Sequence, residues 1–177
     1  MATSADLAKV LHVEPALSDE RTIIDNMMQL YTYDFEPHIA GRAEGEILAD
    51  GRYPEEPFLE AYWRDEGRFP YLFRVGDVLA GFALVNRHFK LQPPADWAMG
   101  EFYVHRRYRR HGGGRAAAHH IFAERHGRWE LSVMRANLNG QRFWKNAIEK
   151  YPKVSDLVVE EGAPLAPSGP IYRFTTS

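Results

Sequence analysis

The sequence predicts an α/β fold in which a mixed sheet carries helices on both faces, and three observations lead to it. Short β-favouring runs alternate with amphipathic stretches in the order strand, one or two helices, three strands, helix, strand, helix, two strands. PYLFRV and VLAGFALV flank a Gly76-Asp77 turn and form a β-hairpin of apolar segments. The third is size: 177 residues, 45% of them hydrophobic, can bury one substantial core but not two ordinary ones, so residues 1–177 are expected to form a single domain.

Each element has a local reason. Residues 6–14 (DLAKVLHVE) read as a first strand. Ser18 is suited to N-cap a helix over residues 19–32, where Ile23, Met27, Leu30 and Tyr31 recur near helical spacing. The polar loop EGEILADGRYPEEP follows, then a short helix from Phe58 to Trp63, then the hairpin. Pro93-Pro94 breaks the chain before the strand WAMGEFYVH. Gly112 to Arg125 reads as a helix with Gly114, Ala118, Ile121 and Phe122 on one stripe, and WELSVM is the next strand. Asn137 or Asn139 can cap a helix that gathers Gly140, Phe143, Trp144, Ala147, Ile148 and Tyr151 on one face and stops at Pro152. LVVE and IYRF, joined by a Gly/Pro/Ser-rich connection, close the sheet.

Composition removes several classes of function. With no cysteine there is no disulfide, thiolate metal ligand or catalytic thiol, and the cytoplasm is the simplest compartment. The start MATSADLAKVLHVEP has neither a basic leader nor a long apolar stretch, and VLAGFALV is too short to span a bilayer, so neither export nor a membrane partner is expected. A net charge of -2 and a pI near 6.4 give no global attraction to nucleic acid, which leaves anion binding to the local cluster from His105 to Arg115. His119 and His120 are adjacent in a helix, about 100° apart around its axis, and cannot ligate one ion together; no metal is expected.

The chemistry concentrates in Arg109-Arg110-His111-Gly112-Gly113-Gly114-Arg115, between a strand and a helix. The first amides of a helix have no intrahelical partner and the helix dipole adds partial positive charge, so an anion is well received there. Arginines at 106, 107, 109, 110 and 115 reinforce the site. An ATP P-loop would place a lysine after the glycines, and a dinucleotide loop would need G-x-G-x-x-G in a longer parallel unit; both are missing.

R-x-x-G-x-G at Arg109, Gly112 and Gly114 resembles the acetyl-CoA pyrophosphate loop of the GNAT superfamily of N-acetyltransferases. Asn137-Leu138-Asn139-Gly140-Gln141-Arg142-Phe143-Trp144 is similar to that family's N-x-x-(A/G)-x-x-F-(Y/W) segment, after a strand and opening the next helix. The similarity is strong from Met99 to Tyr151, weaker over Pro70 to Val85, and only topological before residue 60.

The resemblance implies a GNAT-like, mostly antiparallel sheet, splayed between WAMGEFYVH and WELSVM to admit the pantetheine arm. It implies that backbone groups of Phe102, Tyr103 and Val104 pair with that arm. Arg109 and amides of Arg110, His111, Gly112, Gly113, Gly114 and Arg115 would hold the pyrophosphate, and Asn137 would contact the cofactor. Glu101 is the candidate general base, because a carboxylate often stands there in relatives. Some base is needed: an amine with a pKa of about 10.4 is free in only about one molecule in 2,500 at pH 7. Tyr31, Tyr33, Asp34, Phe35 and Glu36, expected where the first helix enters a loop, lie where relatives often shape the acceptor site, with Tyr31, Tyr33 and Asp34 as the acceptor-site candidates, although packing and a solvated turn explain them as well. The family's usual acid, a tyrosine, is replaced by Trp144, whose indole cannot protonate a thiolate; Tyr103, Tyr108 or Tyr151 could substitute.

The expected activity is transfer of acetyl from acetyl-CoA, as co-substrate, to a primary amine of a small molecule or peptide, by direct attack in a ternary complex. A non-catalytic acyl-CoA-binding or sensing domain would keep the loop and need neither Glu101 nor an acid. A nucleic-acid-binding module built on the arginines is disfavoured by charge and by the lack of an aromatic stacking motif. A homodimer is one assembly the sequence leaves open.

Overall fold

The computed structural model describes residues 11–39, 43–162 and 168–177, and its strands form one seven-stranded sheet in the order β1-β2-β3-β4-β5-β7-β6. The elements are β1 (Leu11–Pro15), α1 (Arg21–Ile39), the single turn α2 (Ala61–Arg64), β2 (Arg68–Val75), β3 (Val78–Asn86), β4 (Trp97–Val104), α3 (Gly113–Glu124), β5 (Gly127–Met134), α4 (Leu138–Glu149), β6 (Val154–Glu161) and β7 (Ser168–Thr176). Neighbours pair antiparallel throughout, except β4 with β5, which are parallel.

Each face of the sheet buries its own cluster. On one, Tyr71, Phe73, Ala83, Val85, Met99, Trp129 and Leu131 pack against Ala117, Ile121 and Phe122 of α3 and Trp144 and Ile148 of α4. Phe122, Trp129 and Phe174 form its centre, with Phe122 5.1 Å from each of the other two rings. On the other face, Leu72, Phe82, Leu84 and Tyr103 pack beneath Ile24, Met27 and Met28 of α1. Burying a large apolar side chain stabilises by roughly 1.5–3 kcal/mol, so these stripes fix which way each helix faces.

Several sequence expectations shift. The first strand is described from Leu11, and residues 6–10 of that expectation lie outside the described residues. Ser18 does not cap α1: a 3-10 turn over Ser18–Glu20 leads into the helix, and the Glu20 carboxylate accepts the Leu17 amide at 2.9 Å. The helix runs on to Ile39 instead of stopping at residue 32, passing through Pro37 in its last turn. Tyr33, Asp34, Phe35 and Glu36 are therefore helical and not in a loop. The predicted helix at Phe58 to Trp63 is the single turn α2. The helix after the glycine loop starts at Gly113, with Gly112 as its left-handed N-cap (φ +77°).

Two features of the sheet position the site. In β4, Leu84 pairs with Glu101 but Val85 pairs with Met99, so Gly100 is bulged out. The bulge resets the side-chain alternation: Met99, Phe102 and Val104 face α3 and α4, whereas Glu101 and Tyr103 face α1. A Cβ on Gly100 would stand 2.7 Å from Asn86 Nδ2 and 3.1 Å from the Leu84 carbonyl oxygen, so only glycine fits the kink. The parallel β4–β5 register covers three pairs, Trp97 with Trp129, Ala98 with Glu130 and Met99 with Leu131. Beyond Met99 and Leu131 the strands part, as the splayed sheet requires.

Candidate active site

A cleft of about 1260 Å³ opens where β4 and β5 part. Tyr31, Asp34, Phe35 and His38 line it from α1, Glu101 to Val104 from β4, Ser132 to Met134 from β5, and the start of α3 and α4 close its other end.

At that far end the chain prepares an anion site. Gly112 in the left-handed region turns the loop into α3, and Arg110 is also left-handed (φ +63°). The helix begins with the Ala116 amide donating to the Gly112 carbonyl, which leaves the amides before it without an intrahelical partner. Gly114 permits close packing, since a Cβ there would lie 3.3 Å from Phe143 and 3.4 Å from Val104. Arg110, Gly112, Gly114 and Arg115 line the cleft. His111 and Gly113 do not; the position of a Gly113 Cβ faces Leu11.

The five arginines divide. Arg106 donates to Asp34 at 2.6 Å and Arg109 donates to the other Asp34 oxygen. Arg109 Nε also donates to the Val104 carbonyl at 2.6 Å, so that carbonyl, expected to pair with the pantetheine arm, has a partner within the chain. Arg107 lies over Tyr108. Arg110 and Arg115 are thus the loop's cleft-lining arginines without a carboxylate partner among the described residues. Asp34 correspondingly acts as an anchor for the arginine loop, and Tyr33 is exposed, lies under Arg106 and does not line the cleft.

Asn137 caps α4, its Oδ1 accepting the Gly140 amide at 2.8 Å. A Cβ on Gly140 would stand 2.5 Å from Asn137 Nδ2, which explains the glycine at this place in the motif. Phe143 stacks on Phe102 at 5.7 Å, and Trp144 is buried against the same ring at 4.9 Å, a core residue at the edge of the cleft. Of the substitute acids, Tyr103 lines the cleft, while Tyr108 and Tyr151 are buried elsewhere in the core.

Glu101 sits on the cleft floor. The Tyr31 hydroxyl donates to its carboxylate. Glu101 keeps some exposure to the cleft, but enclosure removes enough water to push its carboxyl up to about 7; the Tyr31 hydrogen bond pulls it down, the Glu56 charge raises it and Lys90 lowers it. Burial first, then the Glu101 charge, raises Tyr31 well above its usual value. A carboxyl poised near neutrality can take and return a proton at pH 7. Sequence reading missed Glu56, Lys90, Ser132 and His38, which also line the cleft.

A model described as the Acetyltransferase (GNAT) family matches residues 25–147. The chain belongs to the GNAT acetyltransferase family. The GNAT fold is found with an acetyltransferase from Thermus thermophilus (13% identity, TM-score 0.65, 93% of this chain and 96% of that one). It is found again with the Corynebacterium glutamicum protein named as histone acetyltransferase HPA2 and related acetyltransferase (14%, 0.62, 94% and 96%). The ribosomal-protein-S18-alanine N-acetyltransferase of Escherichia coli aligns at 12% identity and TM-score 0.54 over 94% of this chain and 93% of that one. No curated protein matches the sequence significantly. Acyl transfer is the general chemistry of the GNAT family. No helix among the described residues is long and apolar enough to cross a membrane, and no group of three or more His, Asp or Glu there could hold a metal ion.

Proposed function

We propose that residues 1–177 act as one domain that transfers an acetyl group from acetyl-CoA to a primary amine, with both substrates bound together. The observation that carries this reading is the position of Glu101, on the floor of the cleft where the parallel strands part, with the helix-start anion site at one end and a half-buried aromatic wall at the other.

The residues fit the donor. Amides at the start of α3, with Arg110 and Arg115, would hold its pyrophosphate, and the gap beyond Met99 and Leu131 has room for the pantetheine arm. The acceptor enters as an ammonium ion, and Glu101 takes its proton. The freed nitrogen attacks the thioester carbonyl, an N–C bond forms, the C–S bond breaks with its electron pair going to sulfur, and the nitrogen gives up its second proton to the departing thiolate or to water as the amide forms. A thiol with a pKa of about 8–9 leaves readily as thiolate, so Trp144 in place of an acid does not block the reaction. The chain has no cysteine to form an acyl-thiol intermediate, which agrees with direct attack.

Trp144 does favour one competing reading, a non-catalytic acyl-CoA sensor, and a single experiment separates the two. Acetyl-CoA at sub-millimolar concentration should raise the melting temperature, as should CoA, because each binds only the folded state. Thiol release should then follow with at least one amine, measured without background because the protein contributes no thiol. Binding without release across a broad amine panel supports the sensor. No shift with either ligand in folded protein rejects both readings.

A further inference from the structure

We propose that Lys90 and the aromatic face of α1 form the acceptor-recognition site, and that the acceptor is an amino-acid-like zwitterion: an amine with an apolar, preferentially aromatic body and a carboxylate. The inference rests on the acetyl-transfer reading and names the substrate class of that same cleft.

Side-chain alternation locates the site. Trp129, Leu131 and Val133 of β5 point into the core beneath α3 and α4, which puts Glu130 and Ser132 on the opposite face, the face of Glu101 and Tyr103. The connection from β3 to β4 is anchored over this part of β5. The Glu130 carboxylate, only 2% exposed, accepts the Lys90 amide at 2.6 Å and the Leu91 amide at 3.3 Å. Lys90 Nζ donates to Ser132 Oγ at 3.1 Å. A buried carboxylate spent on two backbone amides fixes the start of this loop, and with it the place from which the lysine reaches the cleft.

The lysine has a hydroxyl partner and its charge acts on Glu101, but among the described residues it makes no direct ion pair with a carboxylate. Arg110 and Arg115, the other cleft-lining cations without one, belong to the helix-start site. In the same cleft as Lys90, Tyr31, Phe35 and His38 follow one another along α1 at helical spacing, with ring centroids 4.8 and 5.6 Å apart, and all three keep partial exposure. A half-exposed aromatic wall in a concave site is made to be covered by an apolar group.

The three features sort an acceptor by charge and shape. Its ammonium meets Glu101; its apolar body lies on the α1 rings; its carboxylate meets Lys90. A polyamine would set a second ammonium against Lys90, and an amino-acid amide would leave the lysine without an anion.

The test compares L-phenylalanine, L-phenylalaninamide, glycine and spermidine as acceptors in the wild type, K90M and K90R, by thiol release and by melting shift in saturating CoA. In the wild type, kcat/KM for phenylalanine should exceed that for its amide by about tenfold, the effect of one charge-assisted contact. Glycine and spermidine should be poorer. K90M should bring the acid-to-amide ratio close to one, and K90R should keep the preference for the acid. In CoA-saturated enzyme, phenylalanine should add a melting shift that the amide does not, and K90M should lose it. An amide used as well as the acid, a ratio untouched by K90M, or no phenylalanine shift in CoA-saturated enzyme overturns the proposal. A protein that neither shifts with CoA nor releases thiol overturns the acetyltransferase reading instead, and this proposal with it.

Discussion

The hydroxyl of Tyr31 on α1 donates to the carboxylate of Glu101 on β4, joining the helix over one face of the sheet to the residue just past the Gly100 bulge. Without the bulge, Glu101 would share a face with Met99 and point under α3 and α4. With it, the carboxylate turns to α1 and meets the Tyr31 hydroxyl.

Tyr31→Phe tests this link. The hydrogen bond favours the charged carboxylate, so its loss pushes the Glu101 carboxyl above about 7, and less base is present at neutral pH. The kcat profile should shift its rising limb to higher pH, with turnover several-fold lower at pH 7 and largely recovered near pH 9. A variant that is slow at every pH, with the limb unmoved, would give Tyr31 a packing role only.

Much of the glycine-loop end of the cleft was legible in the sequence, because it rests on local chemistry. Glycines before a helix, an Asn cap three residues ahead of Gly140 and an apolar stripe from Phe143 to Tyr151 each act within one or two turns. The end lined by α1 was not. Tyr31 and Glu101 are 70 residues apart, and Lys90 reaches the cleft only because Glu130, 40 residues away, gathers its loop. The partnering of Asp34 with Arg106 and Arg109 was equally hidden, since the polar run after Tyr31 suggested a loop where the helix in fact continues. One signal was available and unused: a lone glycine within WAMGEFYVH is the mark of a bulge.

Asp34 and Arg109 should behave as a coupled pair. The Asp34 side chain is only 10% exposed and takes two guanidinium groups, which places it above the near-neutral level of surface ion pairs. Asp34→Ala and Arg109→Ala should each lower stability by about 1–3 kcal/mol, and the double variant should cost clearly less than the sum. Denaturant titration of the four proteins measures the coupling; full additivity would mean that the contact does not persist in solution.

Substitutions in the glycine loop should separate binding from folding. Gly112→Val forces a branched side chain into the left-handed region, and Gly114→Val drives it against Phe143 and Val104 beside the expected pyrophosphate. Each variant should lose tenfold or more in acetyl-CoA affinity by calorimetric titration while keeping the circular dichroism of the parent. Unchanged affinity in a folded variant would put the phosphates elsewhere.

Glu101→Gln is the most direct test of the chemistry. Glutamine keeps the size of the side chain and still accepts the Tyr31 hydrogen bond, but it cannot take a proton. General-base assistance typically contributes 10² to 10⁴, so turnover should fall by roughly 10²-fold or more while acetyl-CoA affinity is retained. The same variant carries a stability signature of opposite sign. A carboxyl at about 7 in the folded chain, against a usual value of 4.5, holds its proton more tightly when folded, so wild-type stability is lost as pH rises from about 4.5 through 7. Glutamine has no such slope. Relative to the wild type, Glu101→Gln should therefore gain stability across that window, and above pH 7 it should unfold at higher denaturant concentration though it is the poorer enzyme. A variant as fast as the parent would remove Glu101 from the reaction; one that is slow but shows no relative gain with pH would mean that the carboxyl is not held protonated by burial.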